Sequence, residues 1–236
     1  MKKTVGILFA DSMEYSPFLQ WAKEKPHEEK IRRGNESCSV TLTKGENSLQ
    51  VIAVRCGIGK VNAASATAFL ISDDKADYIL NAGLSGAVQK LGREDMIAAE
   101  SFIECDFDLT AIGYDLGVKP DGQEYIYYSD EKLLSYALQS KGIIRAKTGT
   151  GDLFLADKQR KNLFKETFGI DSFDMETAAI AGVCHKCGVP MLSLRKISDD
   201  ADDCSVEAYR EMNERQESCL TELLVNVLTR IIDDME

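Results

Sequence analysis

Four acidic side chains stand where an α/β protein commonly places its chemistry. Glu14 follows an apolar run near the N-terminus, Asp174 and Glu176 open a helical segment, and Asp199 ends a second apolar run. Carboxyl groups in such places can donate or accept protons. Each one alone could equally be a helix-start carboxylate or a solvated charge. Their joint placement favours one shared site, because the ends of several strands converge on one crevice in such folds.

The other residue types that commonly carry catalysis are scarce. His27 and His185 are the only two histidines, so a Ser-His-Asp triad or a multi-histidine metal site is difficult to build. Cys184 and Cys187 form a CxxC pair inside a strongly helical run, whereas a zinc site needs about four ligands. The sequence therefore predicts catalysis by carboxylates, with no metal and no organic cofactor.

Two glycine-containing segments could approach a ligand through their backbone. CGIGKV at 56–61 lies between a predicted strand and a predicted helix, but it lacks the spacing of a P-loop or a dinucleotide fingerprint. NAGLSGA at 81–87 ends another apolar run, where open α/β sheets place their ligands. A tight strand exit explains the second segment equally well.

The elements that must position these residues are those of an α/β protein with a largely buried sheet, because apolar runs rich in β-branched residues alternate with amphipathic segments. Strands are predicted at 4–10, 39–43, 50–55, 78–81, 96–105, 143–148 and 191–197. Helices are predicted at 14–24, 61–72, 131–139, 158–166, 175–187 and about 206–232. The last helix carries an apolar stripe that we expect to pack on the sheet, namely Leu220, Leu223, Leu224, Val227, Leu228 and Ile231.

Composition narrows the class of protein further. The 236 residues include only four prolines and no linker-like stretch, so one domain is predicted over 1–236. A formal charge of −11 opposes binding to nucleic acid or anionic lipid. No signal peptide or membrane span is apparent, and seven scattered cysteines are typical of a reducing cytoplasm. Residues 107–128 are predicted to form a long loop, and loops of that length in compact domains are usually functional or disordered.

Six segments occur in a specific order along the chain: GILFADSME at 6–14, GIGKV at 57–61, DLTAIGY at 108–114, GTGDLFL at 149–155, DMETA at 174–178 and RKISD at 195–199. In these segments the chain resembles the methylthioadenosine/S-adenosylhomocysteine nucleosidase family, within the purine nucleoside phosphorylase superfamily. The resemblance runs nearly end to end. It implies a three-layer sandwich with a central mixed β-sheet flanked by helices, and hydrolysis of the N-glycosidic bond of a 5′-modified adenosine.

The resemblance also implies a role for each matching residue. Asp199, with Ser198 beside it, matches the acid that protonates N7 of the leaving adenine. Glu14 matches the residue that activates the attacking water, and Glu176 matches the carboxylate that holds the ribose 2′ and 3′ hydroxyls. Arg195 is expected to orient these acids and the water.

The remaining implied contacts surround the substrate. Phe154 corresponds to the aromatic residue that stacks on the base, and Leu155 would offer backbone groups to the base edge. Met175 would lie on the sugar side, and Ile58 and Tyr209 would form the apolar wall around the 5′ substituent. The glycine segment would contribute Leu84, Ser85 and Gly86. The family also uses a loop that reaches across a dimer interface, which implies a homodimer and assigns to that loop Leu109, Ile112, Tyr114 and Pro120.

Two departures from the family pattern bear on which substrate is preferred. Asp11 stands where family members carry Met, and Leu84 stands where they carry Ser. The alternatives are a phosphorylase on the same fold and a catalytically impaired nucleoside-binding protein. Superfamily phosphorylases that resemble this chain at 81–87 carry Arg where Asn81 stands, and no other Arg lies in that segment, which favours water as the nucleophile. The expected partner is therefore a small purine nucleoside, without nucleic acid or membrane.

Overall fold

The strands of this protein form one mixed sheet. The structure, a computed structural model, describes residues 1–201, 206–207, 210 and 219–235. The strands are β1 (Lys2–Phe9), β2 (His27–Arg32), β3 (Asn35–Lys44), β4 (Asn47–Arg55), β5 (Tyr78–Ala87), β6 (Met96–Glu104), β7 (Ile126–Tyr128), β8 (Ile143–Thr150), β9 (Ser172–Asp174) and β10 (Met191–Asp199). The helices are α1 (Ser12–Lys23), α2 (Lys60–Ser72), α3 (Glu131–Leu138), α4 (Lys158–Phe168), α5 (Thr177–Cys187) and α6 (Cys219–Asp233).

The pairing of the strands brings several strand ends together. The order β2, β3, β4, β1, β5 makes up one side of the sheet, and β1 runs parallel to both β4 and β5. Beyond β5, the strands β10, β6, β8 and β9 follow, and β9 returns to β5 through the antiparallel pair Gly86 and Phe173. Because β1, β5 and β10 are parallel neighbours, their carboxyl ends lie side by side.

Helices cover both faces of the sheet, as the alternation of side chains along the strands requires. In β1, Val5 and Ile7 point into a core shared with α1, α3 and α6, whereas Leu8 points into a core shared with α2 and α5. Burial on both faces explains why these strands are continuous apolar runs. The predicted stripe of α6 packs in the first core, where Leu224, Val227 and Leu228 are fully buried. The predicted α/β class, with a central mixed sheet flanked by helices, is therefore confirmed.

Three of the predicted boundaries that differ from the structure affect the segments discussed below. The strand predicted at 78–81 continues to Ala87, so the NAGLSGA segment is strand and not a turn, because β10 pairs with it as far as Gly86. The loop predicted at 107–128 ends earlier, because 126–128 form β7 against β6. The helix predicted from Met175 begins at Thr177, which leaves Met175 and Glu176 outside its first turn.

Two further strands have no clear signature in the sequence. β2 is a charged edge strand with almost no buried side chain, so it lacks the apolar alternation of a typical strand. β9 has three residues and depends on β5 and β8 for its hydrogen bonds. Among the helices of the described residues, none combines the length and apolar character needed to cross a membrane.

Candidate active site

A cavity of about 300 Å³ lies at the carboxyl ends of β1, β5 and β10. The segments after β8 and β9 complete its wall. The lining residues are Ala10, Asp11, Glu14, Ile58, Leu84, Ser85, Gly86, Leu153, Phe154, Leu155, Phe173, Asp174, Met175, Glu176, Ser198 and Asp199. The structure thus brings together the acidic residues that the sequence placed at separate strand and helix ends.

Glu14 lies in the first turn of α1, and two backbone N–H groups from outside that helix donate to its carboxylate. Its Oε2 accepts the N–H of Ala10 at 2.8 Å, and its Oε1 accepts the N–H of Leu84 at 2.7 Å. The carboxylate lies over Gly83, where a Cβ atom would overlap it. Burial raises the pKa of Glu14 to about 7, although the nearby Arg195 guanidinium opposes the shift. A carboxyl group with this pKa can accept a proton near neutral pH.

Arg195 is a fully buried cation in the middle of β10. Its Nη2 lies 3.0 Å from Asp174 Oδ2 and 3.9 Å from Glu176 Oε2. The same nitrogen donates to Asn81 Oδ1 and Thr177 Oγ1, both at 2.6 Å. A buried charge is tolerated only where it is paired and hydrogen-bonded, and this set supplies both. The sequence-based role of Arg195, orientation of the acids, is compatible with these contacts.

Asp174 lines the cavity and also belongs to a buried polar layer behind it, of which the sequence singled out only Asp174 and Arg195. Asp174 Oδ1 accepts from Thr150 Oγ1 at 2.7 Å and from the N–H groups of Glu176 and Thr177 at 3.1 and 3.0 Å. Asn81 Oδ1 accepts from Ser193 Oγ at 3.1 Å as well as from Arg195. The one available signal was Asn81, a polar side chain inside an otherwise apolar strand.

Glu176 is directed into the cavity by the segment that precedes α5. Its Oε1 accepts the N–H of Gly59 at 3.0 Å. Gly59 has φ +97°, a conformation that L side chains rarely adopt. Burial raises the pKa of Glu176, and the nearby Asp174 and Glu14 carboxylates add to the increase against the opposing effect of Arg195. The glycine segment at 56–61 therefore contacts the site through its backbone.

Asp199 lines the cavity at the end of β10, where Gly86 on the paired strand β5 leaves room for its carboxyl group. Its Oδ2 lies 2.7 Å from the hydroxyl of Ser198, which donates to it, and its Oδ1 accepts the N–H of Ala201 at 2.8 Å. A Cβ atom on Gly86 would lie 2.8 Å from Asp199 Oδ1. These contacts fix the orientation of the carboxyl group.

The apolar part of the cavity lies nearer to its mouth. Ile58 and Phe154 are 52% and 43% exposed, whereas Leu155 is buried. Met175 also lines the wall, next to Glu176. A flat or apolar group could be bound between these side chains while the carboxylates contact its polar end.

Asp11 both caps a helix and lines the cavity. It caps α1, because its Oδ1 accepts the N–H groups of Met13 and Glu14 at 2.8 and 3.0 Å. It also lines the cavity, as does Leu84. Its negative charge contributes to the raised pKa of Glu14, after the effects of burial and of Arg195.

Some residues singled out in the sequence lie elsewhere. Tyr209 lies outside the described residues. The loop residues Leu109, Ile112, Tyr114 and Pro120 do not line the cavity. Cys184 and Cys187 are free thiols on α5, and burial raises the pKa of the Cys184 thiol. Within the described ranges, no group of three or more His, Cys, Asp or Glu side chains could hold a metal ion.

Comparison with known proteins gives a consistent result. The sequence profile of the phosphorylase superfamily matches residues 4–232. The 5′-methylthioadenosine/S-adenosylhomocysteine nucleosidase of Bacillus velezensis is 35% identical over 202 residues, which cover 82% of this chain and 87% of that protein. The corresponding nucleosidase of Bacillus subtilis is 33% identical over the same shares of both chains.

Solved structures agree with the sequence relatives. The nucleosidase of the same type from Helicobacter pylori, in complex with butyl-thio-DADMe-Immucillin-A, superposes with a TM-score of 0.90 at 26% sequence identity. The superposition covers 98% of this chain and 99% of that one. The resemblance found in the sequence is thereby confirmed. The chain belongs to the family of 5′-methylthioadenosine/S-adenosylhomocysteine nucleosidases, within the phosphorylase superfamily.

Proposed function

We propose that the protein hydrolyses the N-glycosidic bond of a 5′-modified adenosine and releases adenine and the ribose moiety. The observation that carries this proposal is the convergence of Glu14, Glu176 and Asp199 on one cavity of about 300 Å³. The relatives from two Bacillus species are named as nucleosidases acting on methylthioadenosine and S-adenosylhomocysteine. The three carboxyl groups supply the chemistry that such a reaction needs.

Asp199 and Glu14 perform the two proton transfers. Adenine is a poor leaving anion, so Asp199 donates a proton to N7 as the bond between C1′ and N9 breaks. A water molecule attacks C1′, and Glu14 accepts its proton. The pKa of Glu14, raised to about 7, suits a base that works near neutral pH. The hydroxyl of Ser198, which donates to Asp199 Oδ2, orients the acid.

Glu176 binds the sugar while positive charge develops on it. Its carboxylate holds the 2′ and 3′ hydroxyls, and its attraction to the sugar increases as the C1′–N9 bond lengthens. Arg195 does not line the cavity, but it fixes Asp174 and lies near Glu176 from behind. It therefore acts as a positioning residue rather than as a ligand of the substrate.

The apolar wall binds the rest of the nucleoside. Phe154 stacks on the base, and the backbone of Leu155 contacts the base edge. Met175 lies against the sugar, and Ile58 lies against the 5′ substituent. The strand end at Leu84, Ser85 and Gly86 closes the cavity beside Asp199. These assignments follow from the family and from the position of each residue on the cavity wall.

The charge of the cavity favours water over phosphate as the nucleophile. Five carboxylates line it, and none of its described lining residues is Lys or Arg. An inorganic phosphate would therefore lie among acidic side chains, with no cationic side chain among the described lining residues to bind it. Asn81, where phosphorylases carry Arg, is buried behind the cavity and is bonded to Arg195. Among the described residues, the cavity wall therefore offers no cationic side chain that could bind the phosphate of a phosphorylase.

Asp11 and Leu84 are the features that set the substrate preference. A carboxylate replaces a thioether at Asp11, and an apolar side chain replaces a hydroxyl at Leu84, relative to the family pattern. Both line the cavity. We expect a substrate with a hydrogen-bonding group that faces Asp11 to be preferred over methylthioadenosine.

The test is adenine release from a panel of 5′-substituted adenosines, measured for the unaltered protein and for the Asp11→Met and Leu84→Ser variants. Hydrolysis of at least one analogue supports the reaction, and a shift of the specificity ratio toward methylthioadenosine in the variants supports the preference. Tight binding without release of base from any analogue would instead favour a catalytically impaired nucleoside-binding protein.

A homodimer completes the proposal. Ile112 and Tyr114 expose 69% and 39% of their surface on the loop after β6, and Ile58 and Phe154 are exposed at the mouth of the cavity. Apolar groups in such a position are typical of an interface. The loop residues Leu109, Ile112, Tyr114 and Pro120 would cap the site of the second copy. The free thiols support a reducing compartment, and we place the protein in the cytoplasm.

A further inference from the structure

Three charged residues beside the cavity form a closed set of contacts that the proposed chemistry does not use. Lys60 Nζ lies 2.8 Å from Asp106 Oδ1. Asp106 Oδ2 accepts the N–H of Asp152 at 2.8 Å. Asp152 Oδ1 in turn accepts the N–H of Lys60 at 2.8 Å. We call this set the rim triad.

The rim triad joins three segments that are distant in sequence. Lys60 begins α2, Asp106 follows β6, and Asp152 lies in the turn after β8. The helix α2 has Gly59 at its N-cap and no capping side chain of its own. Asp152, from another segment, supplies the acceptor that a capping residue would give. The start of α2 therefore depends on the turn after β8 for its position.

Two members of the rim triad are next to, or close in sequence to, residues of the site. Gly59, next to Lys60, is the backbone donor to Glu176 Oε1 at 3.0 Å. Phe154 and Leu155 follow Asp152 in the turn and line the cavity. The three contacts consequently fix the donor to Glu176 relative to the residues that bind the base.

The long loop after β6 is attached to the same set. Lys119 Nζ lies 2.6 Å from Glu104 Oε1, and Glu104 Oε2 lies 3.4 Å from Lys60 Nζ. The side chains of Lys60, Glu104 and Lys119 are between 14% and 20% exposed, so solvent screens these pairs less than surface pairs. A displacement of Lys60 would therefore change the contacts of the loop, through Glu104, and the hydrogen bond from Gly59 to Glu176.

We propose that Lys60, Asp106 and Asp152 are positioning residues, which hold Gly59 against Glu176 and hold the base-binding turn at a fixed separation from it. This inference rests on the proposed function. None of the three lines the cavity, so their effect is exerted through Gly59 and through the turn that carries Phe154.

The decisive comparison is between Asp152→Ala and Asp152→Asn. Alanine removes the acceptor for the Lys60 N–H, whereas asparagine keeps an oxygen there. We expect Asp152→Ala to lower kcat/KM about tenfold, because the Gly59 donor and the base-binding turn are no longer held at a fixed separation, and Asp152→Asn to retain most of the activity. The acid limb of the pH profile should move upward only in Asp152→Ala, because the Gly59 N–H favours the ionised form of Glu176.

A matched control distinguishes positioning from general loss of stability. Asp130 caps α3, where its Oδ1 accepts the N–H of Leu133 at 3.0 Å, and it does not line the cavity. Asp130→Ala should lower the melting temperature without changing kcat/KM or the pH profile. Lys60→Met, which breaks the contact with Asp106, should resemble Asp152→Ala and replaces it if that variant does not fold.

Hydrogen exchange of the Gly59 amide gives a readout that does not require turnover. The exchange should be faster in Asp152→Ala than in the unaltered protein and unchanged in Asp130→Ala. If the unaltered protein releases no adenine but this pattern holds, the proposed function is wrong and the positioning stands. If it releases adenine, and Asp152→Ala matches it in kcat/KM, pH profile and exchange, the inference is overturned.

Discussion

Behind the cavity, Arg195 is fully buried and its Nη2 lies 3.0 Å from Asp174 Oδ2, within a layer of hydrogen-bonded polar groups. At the mouth, Ile58, Phe154 and Ile112 expose 52%, 43% and 69% of their surface. The inner region is polar and enclosed, and the outer region is apolar and open. Natural proteins usually show the reverse arrangement between interior and surface.

The difference indicates which part of the site one chain completes by itself. The acidic side chains of the inner region accept hydrogen bonds from the protein, so they are oriented before a substrate arrives, which is the arrangement that electrostatic catalysis requires. The outer apolar surface stabilises the protein only when another molecule covers it and removes it from water. The substrate base and a second copy of the chain are the two candidates for that role.

The largest effect is expected from the inner carboxyl groups. Glu14→Gln and Asp199→Asn should each lower kcat by about 10²–10⁴, the usual range for a lost general base or acid. The double variant should lose less than the product of the two effects, because both groups serve one transition state. Glu131→Gln is the matched control, since Glu131 is 78% exposed on α3. Near-native turnover in either single variant would remove that residue from the mechanism.

The next largest difference between the two regions is expected in the free energy of unfolding. Asp174→Ala leaves Arg195 without its nearest carboxylate, and breaking a buried ion pair in this way costs about 3 kcal/mol of the free energy of unfolding. Ile58→Ala, at the exposed mouth, should change it by less than about 0.5 kcal/mol. Urea unfolding followed by circular dichroism measures both. Equal losses in the two variants would contradict the distinction between an enclosed layer and an open rim.

Association of two copies is the next test of the rim. We expect the unaltered protein to be a dimer at micromolar concentration and Ile112→Asp to be largely monomeric with reduced activity. Ile31→Asp is the control, because Ile31 is 67% exposed, close to the 69% of Ile112, but lies on the edge strand β2. Light scattering measures the mass. A fully active monomer of the unaltered protein would rule out the dimeric site.

The smallest effect is expected from Asp11, which borders the inner region. Asp11→Asn keeps an oxygen to cap α1 but removes a negative charge that raises the pKa of Glu14, in addition to the larger effect of burial. The pKa of Glu14 should therefore fall below its value of about 7, and the acid limb of kcat/KM should move to lower pH. An unchanged or upward-shifted limb would show that Asp11 does not act on the base.

The sequence and the structure agree best where the chain obeys simple periodicity. The double-sided burial of β1 and the apolar face of α6 follow from side-chain alternation and helical spacing, and the carboxyl ends of parallel strands predicted that Glu14 and Asp199 would meet. The contacts of Asn81 with Thr177 and Ser193 could not be predicted, because they join residues 96 and 112 positions apart. The pairing of β9 with β5 could not be predicted for a different reason, because a strand of three residues carries no periodic signal.

Phosphate dependence tests the central claim most directly. The claim is that water is the nucleophile in a cavity with five acidic side chains and no Lys or Arg among the lining residues that the structure describes. The protein is incubated with a 5′-modified adenosine that it accepts, in buffers with and without inorganic phosphate, and the sugar product is identified by phosphorus NMR. We predict equal rates of adenine release in both buffers and a free ribose product. Formation of a sugar 1-phosphate, or base release that requires phosphate, would contradict the account.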